Sequence, residues 1–174
     1  YKYKNSLVGF FGFANPGYST NASYLCQGPA QVNGSPCTNV DKTTSDSGFI
    51  HKLNATYKIS DDALIYATWS RGFRPGGVNR RGSLPPYGAD ELDNYEFGWK
   101  YGANGFHVNG AVYQEDWNNI QLSFLGANGL SEVRNAGIAR IRGIELDIGY
   151  RSGGFSFGTG ASYNEAEIRR DFCA

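Results

Sequence analysis

The chain has 174 residues, of which 24 are glycine and 15% are aromatic, a composition unlike that of a helix-rich core. Its 16 basic and 16 acidic residues give zero net charge without a long basic run, which argues against a nucleic-acid partner. No apolar run approaches the roughly 18 residues of a transmembrane helix, but alternating barrel strands would escape that criterion. Because the sequence contains no methionine and no signal-like start, we expect a processed chain or a fragment.

The first predicted strand covers residues 1–13, where aromatic and apolar residues alternate with Lys2, Lys4 and Ser6. Residues 14–47 are rich in Asn, Ser, Thr, Gly and Pro and show neither the two-residue period of a strand nor the roughly 3.6-residue period of a helix. They predict one long surface loop.

Three cysteines lie outside the predicted strands. Cys26 and Cys37 are close together in the first loop, and no Cys-x-x-Cys pair suggests zinc or redox chemistry. We predict a disulfide between them, which implies an oxidising compartment. Cys173 then has no partner in this chain, a second indication of truncation.

Two amphipathic strands over residues 49–59 and 63–73 follow, joined by the tight turn Ser60-Asp61-Asp62. Residues 74–89 contain three prolines, which remove backbone donors, and they predict a second long loop. The next strand, residues 91–101, alternates with period two. One face, here called the aromatic face, carries Tyr95, Phe97, Trp99 and Tyr101, and the other, the polar face, carries Asn94, Glu96, Gly98 and Lys100.

Three further strands are predicted. The first covers residues 106–124, the second follows the Asn128-Gly129 turn and ends at Tyr150, and the third covers residues 155–164. The pairs Asn104-Gly105 and Asn128-Gly129 are strong hairpin signals, and residues 152–154 form another tight turn. Alternation blurs beyond residues 117–119, which predicts a bulge.

The pattern as a whole predicts an all-β, antiparallel up-and-down meander of about seven strands. Short turns fall on one side and long loops on the other, as in outer-membrane barrels, and aromatic residues cluster near the strand ends as interfacial girdles do. Seven strands are fewer than the roughly eight of the smallest bacterial barrels, so the chain is predicted to be part of a transmembrane β-barrel wall.

Several segments resemble the barrel of TonB-dependent outer-membrane receptors. They are residues 66–79 (YATWSRGFRPGGVN), residues 91–100 (ELDNYEFGWK), Ile120-Gln121, Asn135-Ala136-Gly137 and Gly143-Ile144-Glu145. Their order and spacing resemble those of the receptor barrels, and the resemblance covers residues 47–167. The resemblance implies a roughly 22-stranded barrel plugged by an N-terminal domain. It also implies uptake of an iron-siderophore complex, cobalamin or a similar scarce ligand across the Gram-negative outer membrane.

The plug, the segment that contacts TonB and the aromatic C-terminal residue of such barrels are missing from this chain. We therefore expect residues 1–174 to be a partial receptor barrel domain without plug and C-terminal strands. The TonB complex would act through the missing N-terminal region, with a ferric siderophore or similar small ligand as cargo and with outer-membrane lipid and lipopolysaccharide as surroundings.

Candidate ligand-binding residues are Arg74, at the mouth of the second loop, and Asn94 and Glu96 on the polar face. His51 and His107 fall on opposite faces and do not suggest a shared metal. We expect no catalytic, cofactor or metal site, and not an enzyme.

Three arginines, Arg71, Arg140 and Arg142, share the parity of the aromatic face near the long loops. We expect them to lie above the hydrocarbon and contact lipopolysaccharide phosphates, because an arginine at the bilayer midplane would cost about 2–4 kcal/mol. A bulge that turns them inward is the alternative.

Two other functions compete with the receptor. One is a passive porin-like barrel without a plug, and the other is a secreted soluble β-sandwich that binds carbohydrate. In the sandwich, the aromatic face would form the core between two sheets.

Overall fold

The computed structural model describes residues 1–10, 26–80, 84–126 and 131–170. No helix within these ranges is long and apolar enough to cross a membrane. The described residues form the strands β1 (Lys2–Gly9), β2 (Val40–Ser47), β3 (His51–Lys58), β4 (Ala63–Arg74), β5 (Asp90–Ala103), β6 (Phe106–Leu125), β7 (Ser131–Ser152) and β8 (Phe155–Arg170).

The strands form two sheets. Strands β3 to β8 make a six-stranded sheet in which chain neighbours are also sheet neighbours, and β1 and β2 make a separate pair. The pairs β3–β4, β5–β6 and β7–β8 are antiparallel. This arrangement confirms the predicted antiparallel meander for β3 to β8, which is an open sheet within the described residues.

The prediction of one loop over residues 14–47 is wrong at its C-terminal end. Strand β2 pairs with β1 along its whole length, from Gly9 opposite Val40 to Lys2 opposite Ser47. Since Val40 is the only apolar residue in β2, the sequence offers no alternation to detect. The described chain thus has eight strands rather than about seven, and β1 pairs with β2 instead of extending the meander. Residues 11–25, including the predicted end of the first strand, lie outside the description.

The predicted tight turns lie where the sequence places them. Asn104 and Gly105 have φ of 53° and 80°, the left-handed conformation that a two-residue type I′ hairpin requires at both positions. The β7–β8 turn uses Gly153, with φ of 57°. Asn128-Gly129 is outside the described residues.

The irregularity predicted near residues 117–119 falls at Asn119. The β5–β6 pairing is regular up to Asn118, and Asn119 has φ of 53°, which is not an extended conformation. A second register shift separates Ile138 from Ala139 in the β7–β8 pair.

The chain divides into two compact units. The first comprises Tyr1–Phe49, Arg74–Asp90 and Asn119–Ala136, and the second comprises Ile50–Phe73, Glu91–Asn118 and Gly137–Ala174. Buried hydrophobic side chains among the described residues occur in the first unit only, namely Cys37, Val40, Ala89 and Ala136.

The aromatic face of the second unit is bare within the described residues. Phe97 is 45% exposed and Phe157 is 53% exposed, and neither Ile65 nor Trp99 is buried. A β-sandwich would bury these side chains against a second sheet, and no second sheet covers them within the described residues. The exposed set also includes Leu53, Tyr57, Trp69, Tyr95, Tyr101, Val112, Ile144, Leu146, Tyr150 and Tyr163.

Aromatic rings cover several strand glycines in the second unit. A Cβ atom added at Gly98 would overlap the ring of Tyr66, and one added at Gly143 would overlap the ring of Tyr113. Each ring occupies the space that a neighbouring side chain would fill, an arrangement that stabilises glycine-containing sheets.

We expect Gly98→Val to lower the free energy of unfolding by about 1–3 kcal/mol, because the new side chain displaces Tyr66. Gly158→Val is the matched control, since a Cβ there meets no atom within 4 Å. Guanidinium unfolding of the lipid-refolded protein measures both. The double variant Gly98→Val/Tyr66→Ala should recover part of the loss. Equal destabilisation by the two valines would contradict the role of the ring.

Candidate functional site

Arg74 ends β4 and forms an ion pair with Asp90 in the first unit. Its Nε lies 3.1 Å from one carboxylate oxygen and 3.3 Å from the other, and Nη2 also bonds this carboxylate. The Asp90 side chain is 2% exposed, whereas that of Arg74 is 51% exposed. A buried carboxylate therefore holds the guanidinium of Arg74, whose Nη2 also donates to the Gln121 carbonyl at 3.2 Å.

Gln121 of β6 joins this ion pair to the second long loop. Its backbone N–H donates to Asp90 at 3.2 Å. Its side-chain Nε2 donates to the carbonyls of Pro75 and Gly88, at 3.0 Å each. One side chain thus bonds both ends of the loop between β4 and β5.

Asn135 and Asn79 complete the attachment of the same loop. Asn135 accepts from the Gly88 N–H at 2.6 Å and donates to the Gly88 carbonyl at 3.0 Å. Asn79 accepts from the Val133 N–H at 2.8 Å and donates to its carbonyl at 2.9 Å. Each amide side chain pairs with a backbone residue as a neighbouring strand would.

Lys42 of β2 contacts this loop as well. Its ammonium group donates to the carbonyl of Leu84, and burial lowers the pKa of Lys42. The loop that carries Gly76 and Gly77 is therefore bonded to β2, β6 and β7 rather than held only at its ends.

Sequence reasoning named Arg74 but missed Asp90, Gln121, Asn135 and Asn79. Ile120-Gln121 and Asn135-Ala136-Gly137 were present among the receptor-like segments without a role. Their roles depend on loop carbonyls that lie 33 and 47 residues away in the chain. No local pattern marks such pairs.

Asn94 and Glu96 lie on the polar face of β5, in the second unit, whereas Arg74 belongs to the first. The hydroxyl of Tyr66 donates a hydrogen bond to the Glu96 carboxylate, and the Lys100 Nζ lies 6.0 Å from the centre of the Tyr66 ring. Asn94 is opposite Glu115 of β6.

Farther along the second unit, Asp147 accepts a hydrogen bond from Asn109 at 3.4 Å, and the His107 Nε2 lies 3.2 Å from the same carboxylate oxygen. Lys100, Asn109, Glu145 and Asp147 line a concavity of about 450 Å³. Charges of both signs make this surface suitable for a polar partner.

The three arginines of the aromatic face differ in their partners. Arg71 holds Asp93 in a bidentate pair, with both distances 2.7 Å. Arg140 bonds Asp116 at 2.6 Å, and Arg142 bonds the neutral Gln114 at 3.0 Å.

The arginines keep the parity of the aromatic face. Asp93, the partner of Arg71, precedes Tyr95 by two positions, and the Tyr95 ring stacks on Trp69 at 6.3 Å. The β7–β8 pairing is regular from Ala139 to Ser152, so no bulge turns Arg140 or Arg142 relative to Ile144.

Cys26 and Cys37 form a disulfide with a Cα–Cα distance of 5.6 Å. An isolated antiparallel β-bridge between the backbones of Gly28 and Thr38 joins the two ends of the same segment. Cys173 lies outside the described residues.

The two histidines are on different strands. The His51 ring packs edge-on against Trp69, with centroids 4.2 Å apart. In the part of the chain that the structure describes, no group of three or more His, Cys, Asp or Glu side chains could hold a metal ion.

A meander with a bare aromatic face and a polar opposite face defines the wall of a β-barrel. Residues 13–172 match the family described as TonB dependent receptor-like, beta-barrel. The chain belongs to this family.

The chain is also similar, in sequence or in fold, to individual receptors and transporters. The chain is 28% identical to the pesticin receptor of Yersinia enterocolitica over 133 residues, which are 74% of this chain and 19% of that protein. Its fold resembles the ferric yersiniabactin uptake receptor FyuA from Yersinia pestis, with a TM-score of 0.65 at 24% identity, over 78% of this chain and 21% of that one.

The FrpB iron transporter from Neisseria meningitidis is similar in fold, with a TM-score of 0.62 at 20% identity, over 73% of this chain and 21% of that one. The chain thus spans 19–21% of the length of these relatives.

Proposed function

We propose that this chain is part of the barrel wall of a Gram-negative outer-membrane receptor that takes up an iron-siderophore complex or a similarly scarce ligand. The observation that carries the proposal is the bare aromatic face of the second unit, in a chain of the TonB-dependent receptor family. A sheet face with this many exposed aromatic and aliphatic side chains is more stable in contact with lipid than in contact with water.

The ligand class follows from the relatives. The pesticin receptor is a relative in sequence, and FyuA and FrpB, which are similar in fold, are named for ferric yersiniabactin uptake and iron transport. A ferric chelate is therefore the cargo that we propose. Because cargo uptake is transport, we propose no enzymatic activity and no catalytic cofactor.

Within the chain, we assign ligand contact to the loop between β4 and β5, with Arg74 at its mouth. Asp90, Gln121 and Asn135 hold the two ends of the loop, at Arg74 and Pro75 and at Gly88, so these described parts are positioned before a ligand arrives. Preorganisation of this kind lowers the entropic cost of binding. Asn94 and Glu96 are proposed as further polar contacts.

The remaining partners follow from the receptor class. We propose that residues 1–174 are a partial barrel domain, that the TonB complex acts through a region outside this chain, and that the aromatic face contacts outer-membrane lipid and lipopolysaccharide.

Uptake of radiolabelled iron tests the function. A strain that lacks the gene should lose growth and uptake with one ferric siderophore under iron limitation, and the complete gene should restore both. Deletion of tonB should abolish the restored uptake. Restored uptake that persists without TonB would establish the passive barrel instead, and unchanged uptake in the gene deletion would refute the receptor.

A further inference from the structure

Residues 74–80 and 84–90, between β4 and β5, form a two-stranded arm that is here called the strap. Gly77 and Tyr87 exchange both backbone hydrogen bonds, at 3.0 and 2.9 Å, as two paired residues of antiparallel strands do. A Cβ atom added at Gly76 would overlap the Tyr87 carbonyl oxygen, so glycine allows this close approach. The strap is therefore a continuation of the β4–β5 hairpin rather than an open loop.

Asn79 extends the strap by one further pair. It lies two positions beyond Gly77, and Pro85 lies two positions before Tyr87, so Asn79 and Pro85 are opposite each other in the register of the bridge. Because Pro85 has no backbone N–H, it cannot complete a strand pair. The Asn79 Nδ2 donates to the Pro85 carbonyl at 3.1 Å and joins the two sides of the strap at this point.

The same amide bonds the strap to β7. Nδ2 of Asn79 also donates to the Val133 carbonyl at 2.9 Å, and Oδ1 accepts from the Val133 N–H at 2.8 Å. Both hydrogens of Nδ2 are therefore used, and Asn79 is only 4% exposed. Since water has little access to a buried amide, solvent does not replace bonds that are lost here.

The strap reaches past β6 to make this contact, because β6 lies between β5 and β7 in the sheet. Gln121 of β6 and Asn135 of β7 both bond Gly88, at the base of the strap. Asn79 bonds Val133 at the other end. The strap is thus attached to β7 at two separate points.

The first pair of strands contacts the strap as well. The Lys42 ammonium group of β2 donates to the carbonyl of Leu84, which precedes Pro85. A Cβ atom added at Gly76 would lie 2.6 Å from the Tyr3 hydroxyl of β1. A strap that left β7 would therefore also disturb its contacts with β1 and β2.

We propose that Asn79 is a positioning residue for ligand capture, which docks the strap on β7 so that Arg74 at its base meets the ligand in one fixed place. The inference rests on the proposed function, which assigns ligand contact to this loop. A docked strap favours affinity, because its conformational entropy is lost on folding rather than on binding. Asn79 itself acts through the strap and not by contact with the ligand.

Hydrogen exchange of the complete gene product, purified in detergent, tests the docking in Asn79→Asp. The variant keeps the shape of the side chain but replaces the donor Nδ2 by an oxygen that faces two carbonyls. We expect the Val133 amide to exchange about tenfold faster. The Gly88 amide, which Asn135 holds at the base of the strap, should exchange faster too.

Two further variants accompany this measurement. Asn79→Ser adds no charge and should give the same pattern if Asn79→Asp does not fold. Asn33→Asp is the matched control, since Asn33 is exposed in the same unit, and it should leave both amides at wild-type rates. Faster exchange at Val133 with no change at Gly88 would confine the effect to one bond and overturn the strap as a docked unit. Wild-type exchange at both would show that Asn79 does not hold it.

Uptake kinetics separate positioning from a loss of folded protein. The probe is the radiolabelled ferric siderophore that restores growth of the gene-deletion strain. We expect Asn79→Asp to raise the half-saturating concentration about tenfold, with the maximal rate per receptor unchanged. Asn33→Asp should match wild type in both quantities. A lower maximal rate at an unchanged half-saturating concentration would overturn the positioning role. Absent uptake by the wild type would refute the proposed function, while hydrogen exchange still decides the docking of the strap.

Discussion

Phe97→Arg is expected to lower the free energy of unfolding in lipid by about 2–4 kcal/mol, the cost of an arginine at the middle of a barrel's lipid face. Phe97 is 45% exposed and pairs with Val112 of β6. It lies midway along β5 between Asp93 and Tyr101, the polar and aromatic positions that bound the apolar run on this face. A guanidinium there cannot reach either boundary without distorting the strand.

Ser162→Arg is the control for this substitution. Ser162 is exposed on the opposite face, and its cross-strand partner is Glu145. An arginine there should be neutral or slightly stabilising, because it faces water beside a carboxylate. Urea unfolding of the complete protein refolded into vesicles measures both variants. If the two arginines destabilise equally, or if Phe97→Arg is harmless, the aromatic face does not contact lipid.

Arg74→Ala is expected to lower local stability by about 3 kcal/mol, the low end for a broken buried ion pair because the arginine is half-exposed. The Asp90 side chain is 2% exposed in the parent protein. The substitution removes its arginine partner and leaves the Gln121 N–H as a donor to the carboxylate. A carboxylate in that position must either recruit water or open the loop.

Hydrogen exchange locates this effect. The Gly77 and Tyr87 amides bond each other's carbonyls across the loop, at 3.0 and 2.9 Å, and we expect them to exchange faster in Arg74→Ala. The double variant Arg74→Leu/Asp90→Leu should recover much of the protection, because it leaves no unpaired buried charge. Wild-type exchange of these two amides in Arg74→Ala would show that the ion pair does not hold the loop. Siderophore uptake should fall in proportion to the loss of protection.

The hairpins and the two faces could be predicted because their signals are local. Asn104-Gly105 specifies a two-residue turn by itself, since both residues tolerate positive φ. In β5, four aromatic side chains at alternate positions determine which face avoids water. These features need no knowledge of the partner strand.

Strand β2 and the loop attachments could not be predicted in this way. Only one residue of β2 is apolar, and the strand exists because β1 pairs with its backbone. Gln121 and Asn135 are ordinary polar residues until the fold places loop carbonyls beside them. The signal for such residues is spatial, because each bond joins positions far apart in the chain.

By itself, the sequence determined which side chains share a face and where the chain reverses, because both follow from a two-residue period and from turn chemistry. Tertiary structure alone decided that, within the described residues, Phe97 and Phe157 are exposed rather than packed against a second sheet. It also decided that Arg71 and Arg140 form ion pairs with Asp93 and Asp116, and that Arg142 bonds the amide oxygen of Gln114. Parity assigns a side chain to a face, but its partners come from neighbouring strands whose register only the folded sheet establishes.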